Sequence, residues 1–210
     1  MIKEHCFVVT GAPGSGKSAL LDAIKAKGIS CVAEFARAII AQQRAIDGDG
    51  LYDKKPQLFK ELMLSRAMND FIEADAQIPH LFDRGIPDLL AYSDCFGLAR
   101  GSEVKAAQLY RYNKTAFFTP SWEAIYSNDE DRTISFQQAK VFGDNLKIIY
   151  QELGYELIEL PYVSVDERAI FIAETITGIV NERDTLNRKS NPHCAPVSRL
   201  STPITAENGS

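Results

Sequence analysis

Short, nearly continuous apolar runs alternate along this chain with longer segments whose apolar residues recur every three or four positions. The short runs predict strands at residues 5–10, 29–32, 80–83, 115–119 and 156–160. The longer segments predict helices at 17–27, 34–44, 56–76, from residue 88, and at 102–112. Phe59, Leu62, Met63, Ala67 and Phe71 mark the buried face of the third of these. Phe136, Ala139, Phe142, Leu146, Ile149 and Leu153 mark another helix, and Val165, Ala169, Ile172, Ala173, Ile176 and Val180 mark the last. Strands joined one after another by helical crossovers predict a three-layer α/β fold: a parallel five-stranded sheet with helices on both faces. Such folds bind ligands at the carboxyl ends of their strands.

The first strand runs through Thr10 into Gly11-Ala12-Pro13-Gly14-Ser15-Gly16-Lys17-Ser18, followed by the helical pattern from Ala19. Every fixed position of the phosphate-binding loop, G-x-x-x-x-G-K-[ST], is filled, and the loop lies between strand and helix as its chemistry requires. The glycines let backbone N–H groups close around an anion, and the following helix adds its unpaired N–H groups and the positive end of its dipole. Gly11, Ala12, Pro13, Gly14, Ser15, Gly16, Lys17, Ser18 and Ala19 are therefore the candidate nucleotide-binding residues. Lys17 is expected to reach the β and γ phosphates of ATP or GTP, and the Ser18 hydroxyl to ligate Mg²⁺.

Such a loop works with a carboxylate at the end of a neighbouring buried strand. Asp83 fits, since it closes the run His80-Leu81-Phe82 and precedes Arg84. It is a candidate Mg²⁺ ligand or base for an acceptor hydroxyl, and Arg84 a candidate two-point clamp on phosphate. Glu34 and Arg37 stand one helical turn apart after the second strand, as a candidate substrate pair or a surface ion pair. Arg132, in the polar stretch from Ser127, is a candidate for swinging onto the transferring phosphate or for pairing with its acidic neighbours. Arg111 reads as a phosphate contact or as a cation at a helix end.

Composition narrows the partners. A net charge of −5 argues against a nonspecific nucleic-acid binder, which needs a positive stripe. The four cysteines are widely separated and the three histidines lack metal spacing, so the expected compartment is reducing and cytoplasmic. No apolar run is long enough to span a membrane, and the charged N-terminus is not expected to act as a secretory signal. A single P-loop NTPase domain is expected over residues 1–182. Residues 183–210, rich in Asn, Ser, Thr and Pro, are expected to form a flexible tail.

The phosphate loop, Glu34-Phe35-Ala36-Arg37, Phe82-Asp83-Arg84-Gly85-Ile86-Pro87-Asp88 and Leu157-Ile158-Glu159-Leu160-Pro161 together resemble the small AAA-type predicted ATPases grouped with the ribosylnicotinamide-kinase domain of NadR-like proteins. The resemblance spans about residues 4–182. It implies a nucleotide-kinase-like fold, ATP or GTP with Mg²⁺, and a role for the acidic-Arg pair; the Asp83-Arg84 pairing itself looks more like deoxynucleoside and thymidylate kinases. The expected function is a Mg²⁺-dependent phosphotransferase acting on a small nucleoside- or nucleotide-like acceptor. The alternative is a nucleotide-dependent switch that binds a protein or lipid.

Overall fold

Cys6, Phe7, Val8 and Val9 have no exposed surface at all, which places the first apolar run in the middle of a sheet, covered on both faces. The computed structural model describes residues 1–126 and 134–190, with side chains placed up to residue 186. Among the described residues five strands form one sheet: β1 (Cys6–Gly11), β2 (Ser30–Val32), β3 (His80–Asp83), β4 (Thr115–Thr119) and β5 (Glu156–Glu159). Their spatial order is β2-β3-β1-β4-β5, and every pairing is parallel. The helices are α1 (Lys17–Lys25), α2 (Phe35–Ala45), α3 (Pro56–Glu73), α4 (Asp88–Cys95), α5 (Ser102–Leu109), α6 (Phe136–Glu152) and α7 (Val165–Ser190).

The strands' alternation of side chains divides the core in two. Phe7, Val9, Leu81 and Phe117 pack with Leu20, Leu21 and Ile24 of α1 and with Ala169, Ile172 and Ile176 of α7. Val8, Phe82, Ala116 and Phe118 belong to the opposite layer, with side chains from α2 to α6. Each large apolar side chain buried this way stabilises the fold by about 1.5–3 kcal/mol. Local signals agree with the packing. Pro56 occupies the first turn of α3, where its missing N–H costs nothing. Ser135 caps α6 by accepting from the Gln138 N–H at 3.2 Å while Gln138 Oε1 accepts from the Ser135 N–H at 2.8 Å.

Several helix ends differ from the sequence expectation, α1 stopping at Lys25 and α3 at Glu73, before the predicted 27 and 76. The chain leaves helical geometry at Tyr110, short of the predicted end at 112, because Tyr110 and Tyr112 both turn in to pack edge-on against Phe71. At the other end α7 continues through residues 183–190, past the boundary expected at 182. The segment has no Gly or Pro to break it, and Arg183, Leu186, Arg188 and Lys189 are favourable helix residues. Arg183 reaches Glu4 at 2.8 Å and the Thr185 hydroxyl bonds back to the Asn181 carbonyl. Residues 191–210 of the expected tail lie outside the described residues.

The order of strands decides where the chemistry meets. Val9 pairs with Asp83 and Gly11 with Thr119, so the phosphate loop, Asp83 and the end of β4 emerge at one sheet edge. β2 lies beside β3, which brings Glu34 to the same edge.

Candidate active site

The phosphate loop is held open by its glycines and braced from the next strand. Gly11 lies so close to β4 that a Cβ there would stand 2.2 Å from the Thr119 carbonyl oxygen. Gly16, the residue before α1, has a φ of +82° and no side chain caps the helix. The first N–H groups of α1 are thus left for an anion. The Ser15 hydroxyl donates to the Ala12 carbonyl at 2.7 Å and lies 2.7 Å from Thr119 Oγ1, which itself donates to the Thr10 carbonyl at 3.1 Å.

Lys17 is folded back over this loop. Its Nζ donates to the carbonyls of Gly11 at 3.1 Å and Ala12 at 2.8 Å, and to Ser15 Oγ at 3.3 Å. Burial, helped by the positive charge of Arg84, lowers its pKa to about 7. Asp83 shows the opposite shift from the same cause: burial raises its carboxyl to about 6, although Lys17 pulls the other way. Its Oδ1 is buried and has no hydrogen-bond partner among the described residues, a state whose cost calls for a ligand. Ser18 and Asp83 line one cavity of about 160 Å³ together with Gly14, Gly16, Lys17 and Ala19. These hydroxyl and carboxylate oxygens fit Mg²⁺. No group of three His, Cys, Asp or Glu residues among those described could hold a metal alone, so the remaining ligands would be phosphate and water oxygens.

Arg84 is the hub of the second constellation. It has a positive φ of 70°, an unusual conformation for a residue with a side chain, and its neighbours hold it there. Its Nε donates to Glu34 Oε1 at 2.9 Å, and its Nη1 donates to Asp88 Oδ1 at 2.9 Å and to the Gly11 carbonyl at 3.2 Å. Burial opposes its charge, but Glu34 and Asp88 more than offset that and raise its pKa. Burial likewise works against ionised Glu34, yet Arg84 and then Lys17 hold its pKa below the usual value. Arg37 lies beside Glu34, with Nε 3.6 Å from Oε2.

Asp88, which the sequence reading placed only at a helix start, organises this group. Its Oδ1 accepts from the Thr10 hydroxyl at 2.7 Å and from Arg84. Its Oδ2 accepts from the Gly85 N–H at 3.0 Å and from the Tyr150 hydroxyl at 2.6 Å. The spacing of Arg84 and Asp88 by four residues was the available signal; the donors from β1 and α6 were not legible.

A second cavity of about 250 Å³ adjoins the first. Glu34, Arg37 and Arg84 line both. Beyond them its walls are largely apolar and aromatic, with Phe35, Phe59, Met63, Tyr92, Phe96 and Phe142 among them. The structure thus brings together the phosphate loop, Glu34, Arg37, Asp83 and Arg84. Arg111 goes elsewhere: its Nη2 donates to the Leu153 carbonyl at the end of α6 at 2.7 Å, and its guanidinium lies over the Tyr155 ring. It is a cation at a helix end. Arg132 and its polar stretch from Ser127 lie outside the described residues.

A family model described as an AAA domain matches residues 6–168, most of the chain. The chain belongs to this AAA domain family. No curated protein matches the sequence of this AAA domain. Among solved structures it resembles deoxyadenosine kinase from M. mycoides, once with bound dATP (TM-score 0.58, 12% identity, 82% of this chain and 99% of that one). The same enzyme with dCMP and a flexible dCDP as products gives a TM-score of 0.59 at 13% identity, with the same coverage. Shikimate kinase from Acinetobacter baumannii in complex with shikimate aligns with a TM-score of 0.55 at 13% identity, over 82% of this chain and 93% of that one. At these identities the likeness is one of fold: the AAA domain has the kinase-like P-loop architecture. No described helix is long and apolar enough to cross a membrane.

Proposed function

We propose that this AAA domain is a nucleotide-dependent phosphotransferase. ATP or GTP would sit in the loop cavity and a small ring-bearing acceptor in the aromatic one. The observation that carries the reading is the shared wall: Glu34, Arg37 and Arg84 border both cavities, so a group in one lies against a group in the other. A nucleotide hydrolase or switch has no need of the second cavity. The kinase neighbours, with dATP or shikimate bound, are consistent with this reading.

Phosphoryl transfer is mainly a matter of positioning and charge neutralisation. The loop N–H groups and Lys17 would hold the donor phosphates, and Arg84, fixed by Glu34 and Asp88, would face the transferring group. Asp83 lines only the loop cavity and belongs to the donor and metal side, whereas Glu34 borders the acceptor. Glu34, held ionised by Arg84, is placed to accept the proton as an acceptor hydroxyl oxygen bonds to the γ-phosphorus, the bond to the bridging β–γ oxygen breaks, and the nucleoside diphosphate leaves. Mg²⁺, held by Ser18 and Asp83, would supply neutralisation of the phosphate charge. The aromatic walls suit a nucleoside-like acceptor, whose flat base has apolar faces, better than a polyol, whose hydroxyls would be buried without partners.

The test is nucleotide consumption with and without a panel of nucleosides, nucleotides and hydroxylated aromatic compounds, with products read by mass spectrometry. A phosphorylated acceptor is expected. Turnover stimulated only by a protein or by lipid vesicles would instead establish the nucleotide-dependent switch.

A proton should also move on binding. Above the lowered pKa of Lys17, near 7, the free site holds that side chain mostly neutral. Phosphate anions favour the ammonium form and raise the pKa again, so binding at about pH 8 should take up nearly one proton. Calorimetric titrations with ATP in buffers of different ionisation enthalpy measure this directly. A binding enthalpy independent of the buffer would show that Lys17 is already charged in the free site.

A further inference from the structure

Arg168 has no counter-charge among the described residues. Only 3% of it is exposed, its Nε is buried without a hydrogen-bond acceptor, and its guanidinium forms neither a hydrogen bond nor an ion pair with any described residue. Leaving a buried cation without a counter-charge is costly. Its place adds to the cost, because it stands in the first turn of α7, where the helix dipole disfavours positive charge. One face of the guanidinium lies 5.6 Å from the centroid of the Trp122 ring, a contact that offsets only part of this.

The guanidinium stands over the phosphate loop. A Cβ on Gly16 would be 3.5 Å from Nη2 and 3.8 Å from Nη1. Covering the same loop is the short 3₁₀ turn Glu123–Ile125: the same Cβ would be 3.1 Å from the Ile125 methyl, and one on Gly14 would be 2.6 Å from the Tyr126 ring. The Tyr126 hydroxyl ties this turn to the Ile134 carbonyl, just before α6.

We propose that Arg168 is a second cationic phosphate ligand of the donor site, working with Lys17 and reached when Ile125 shifts off Gly16. The proposal rests on the reading that the loop holds a nucleotide. It explains why a side chain so unfavourable to the fold is kept beside the loop. The charge that destabilises the empty protein is neutralised when a phosphate oxygen arrives, and the guanidinium can meet that oxygen with two parallel hydrogen bonds.

The sign of the stability change separates this role from a structural one. In Arg168→Met the apolar chain remains and the buried charge goes, so the ligand-free protein should melt at or above the wild-type temperature. Affinity for ATP and for inorganic tripolyphosphate should both fall about 10- to 100-fold, the loss of a charge-assisted hydrogen bond. Arg168→Lys should keep apo stability and lose less affinity than Arg168→Met. Unchanged ATP affinity in Arg168→Met would overturn the proposal. So would weaker ATP binding with tripolyphosphate binding intact, which marks a base contact, or an apo melting temperature lowered in both variants, which marks a packing role. Failure of the wild-type protein to bind either ATP or tripolyphosphate would remove the nucleotide reading itself, and this assignment with it.

Discussion

Replacing Lys17 by Ala should lower acceptor-dependent nucleotide turnover by about 10²- to 10³-fold, the usual cost of removing one preorganised donor from a developing phosphate charge. In the ligand-free protein Lys17 Nζ is spent on carbonyls of its own loop, those of Gly11 and Ala12. Those bonds hold the side chain buried and ready, and burial is what lowers its pKa to about 7. A phosphate in the cavity is a better partner than a backbone carbonyl, so binding draws Lys17 away from the loop and restores its charge. The variant loses that interaction and nothing in the sheet. Turnover at saturating acceptor, followed beside a circular-dichroism melt, gives the answer. A variant that keeps wild-type turnover with an intact melt would show that the loop is not the catalytic donor site.

Replacing Asp88 by Ala should destabilise the fold by about 3–5 kcal/mol, the range for leaving one member of a buried ion pair without the other. Four donors converge on this carboxylate: the Thr10 and Tyr150 hydroxyls, the Gly85 N–H and Arg84 Nη1. The two hydroxyls cannot turn to water, since Asp88, Thr10 and Tyr150 are almost wholly buried. The loss is a large part of the stability of an ordinary domain, about 5–15 kcal/mol. It also frees Arg84 from one of the two carboxylates that fix its left-handed backbone and its guanidinium. Activity should therefore fall even where the variant remains folded. Denaturant titration of Asp88→Ala checks the first effect; a change below about 1 kcal/mol would mean that the donors find other partners.

Much of the candidate site was legible because it is local. Residues 11–18 are contiguous, and the chemistry of a phosphate loop depends on backbone N–H groups, a lysine and a hydroxyl at fixed spacing. Asp83 and Arg84 were legible for a related reason: a carboxylate ending a short apolar run falls at the edge of a buried strand wherever that strand sits in the sheet. Glu34 could be read only as one of two things, a surface pair with Arg37 or a site residue. The structure joins it to both Arg37 and Arg84, through one oxygen each.

What no window of sequence contains is the meeting of distant side chains. Asp88 looked like the first residue of a helix, as an acidic residue there often is. Its donors come from residue 10, residues 84 and 85, and residue 150, which only the packing of α4 and α6 on β1 brings together. Nothing in the sequence sets Arg168 apart from other cations, and the aromatic cavity gathers residues from α2, α3, α4 and α6.

The sequence by itself determined the parallel α/β class, the phosphate loop and the carboxylate beside it. Apolar periodicity and backbone chemistry act over a few residues, and the chain carries both in plain order. Only the tertiary structure decided that Glu34, Arg37 and Arg84 form a wall between two cavities, that Asp88 holds Arg84, and that Arg168 is buried above Gly16 with no counter-charge among the described residues. Burial, cavity shape and the count of hydrogen-bond partners are properties of surfaces drawn from many elements. They exist only once the order β2-β3-β1-β4-β5 has placed those elements side by side.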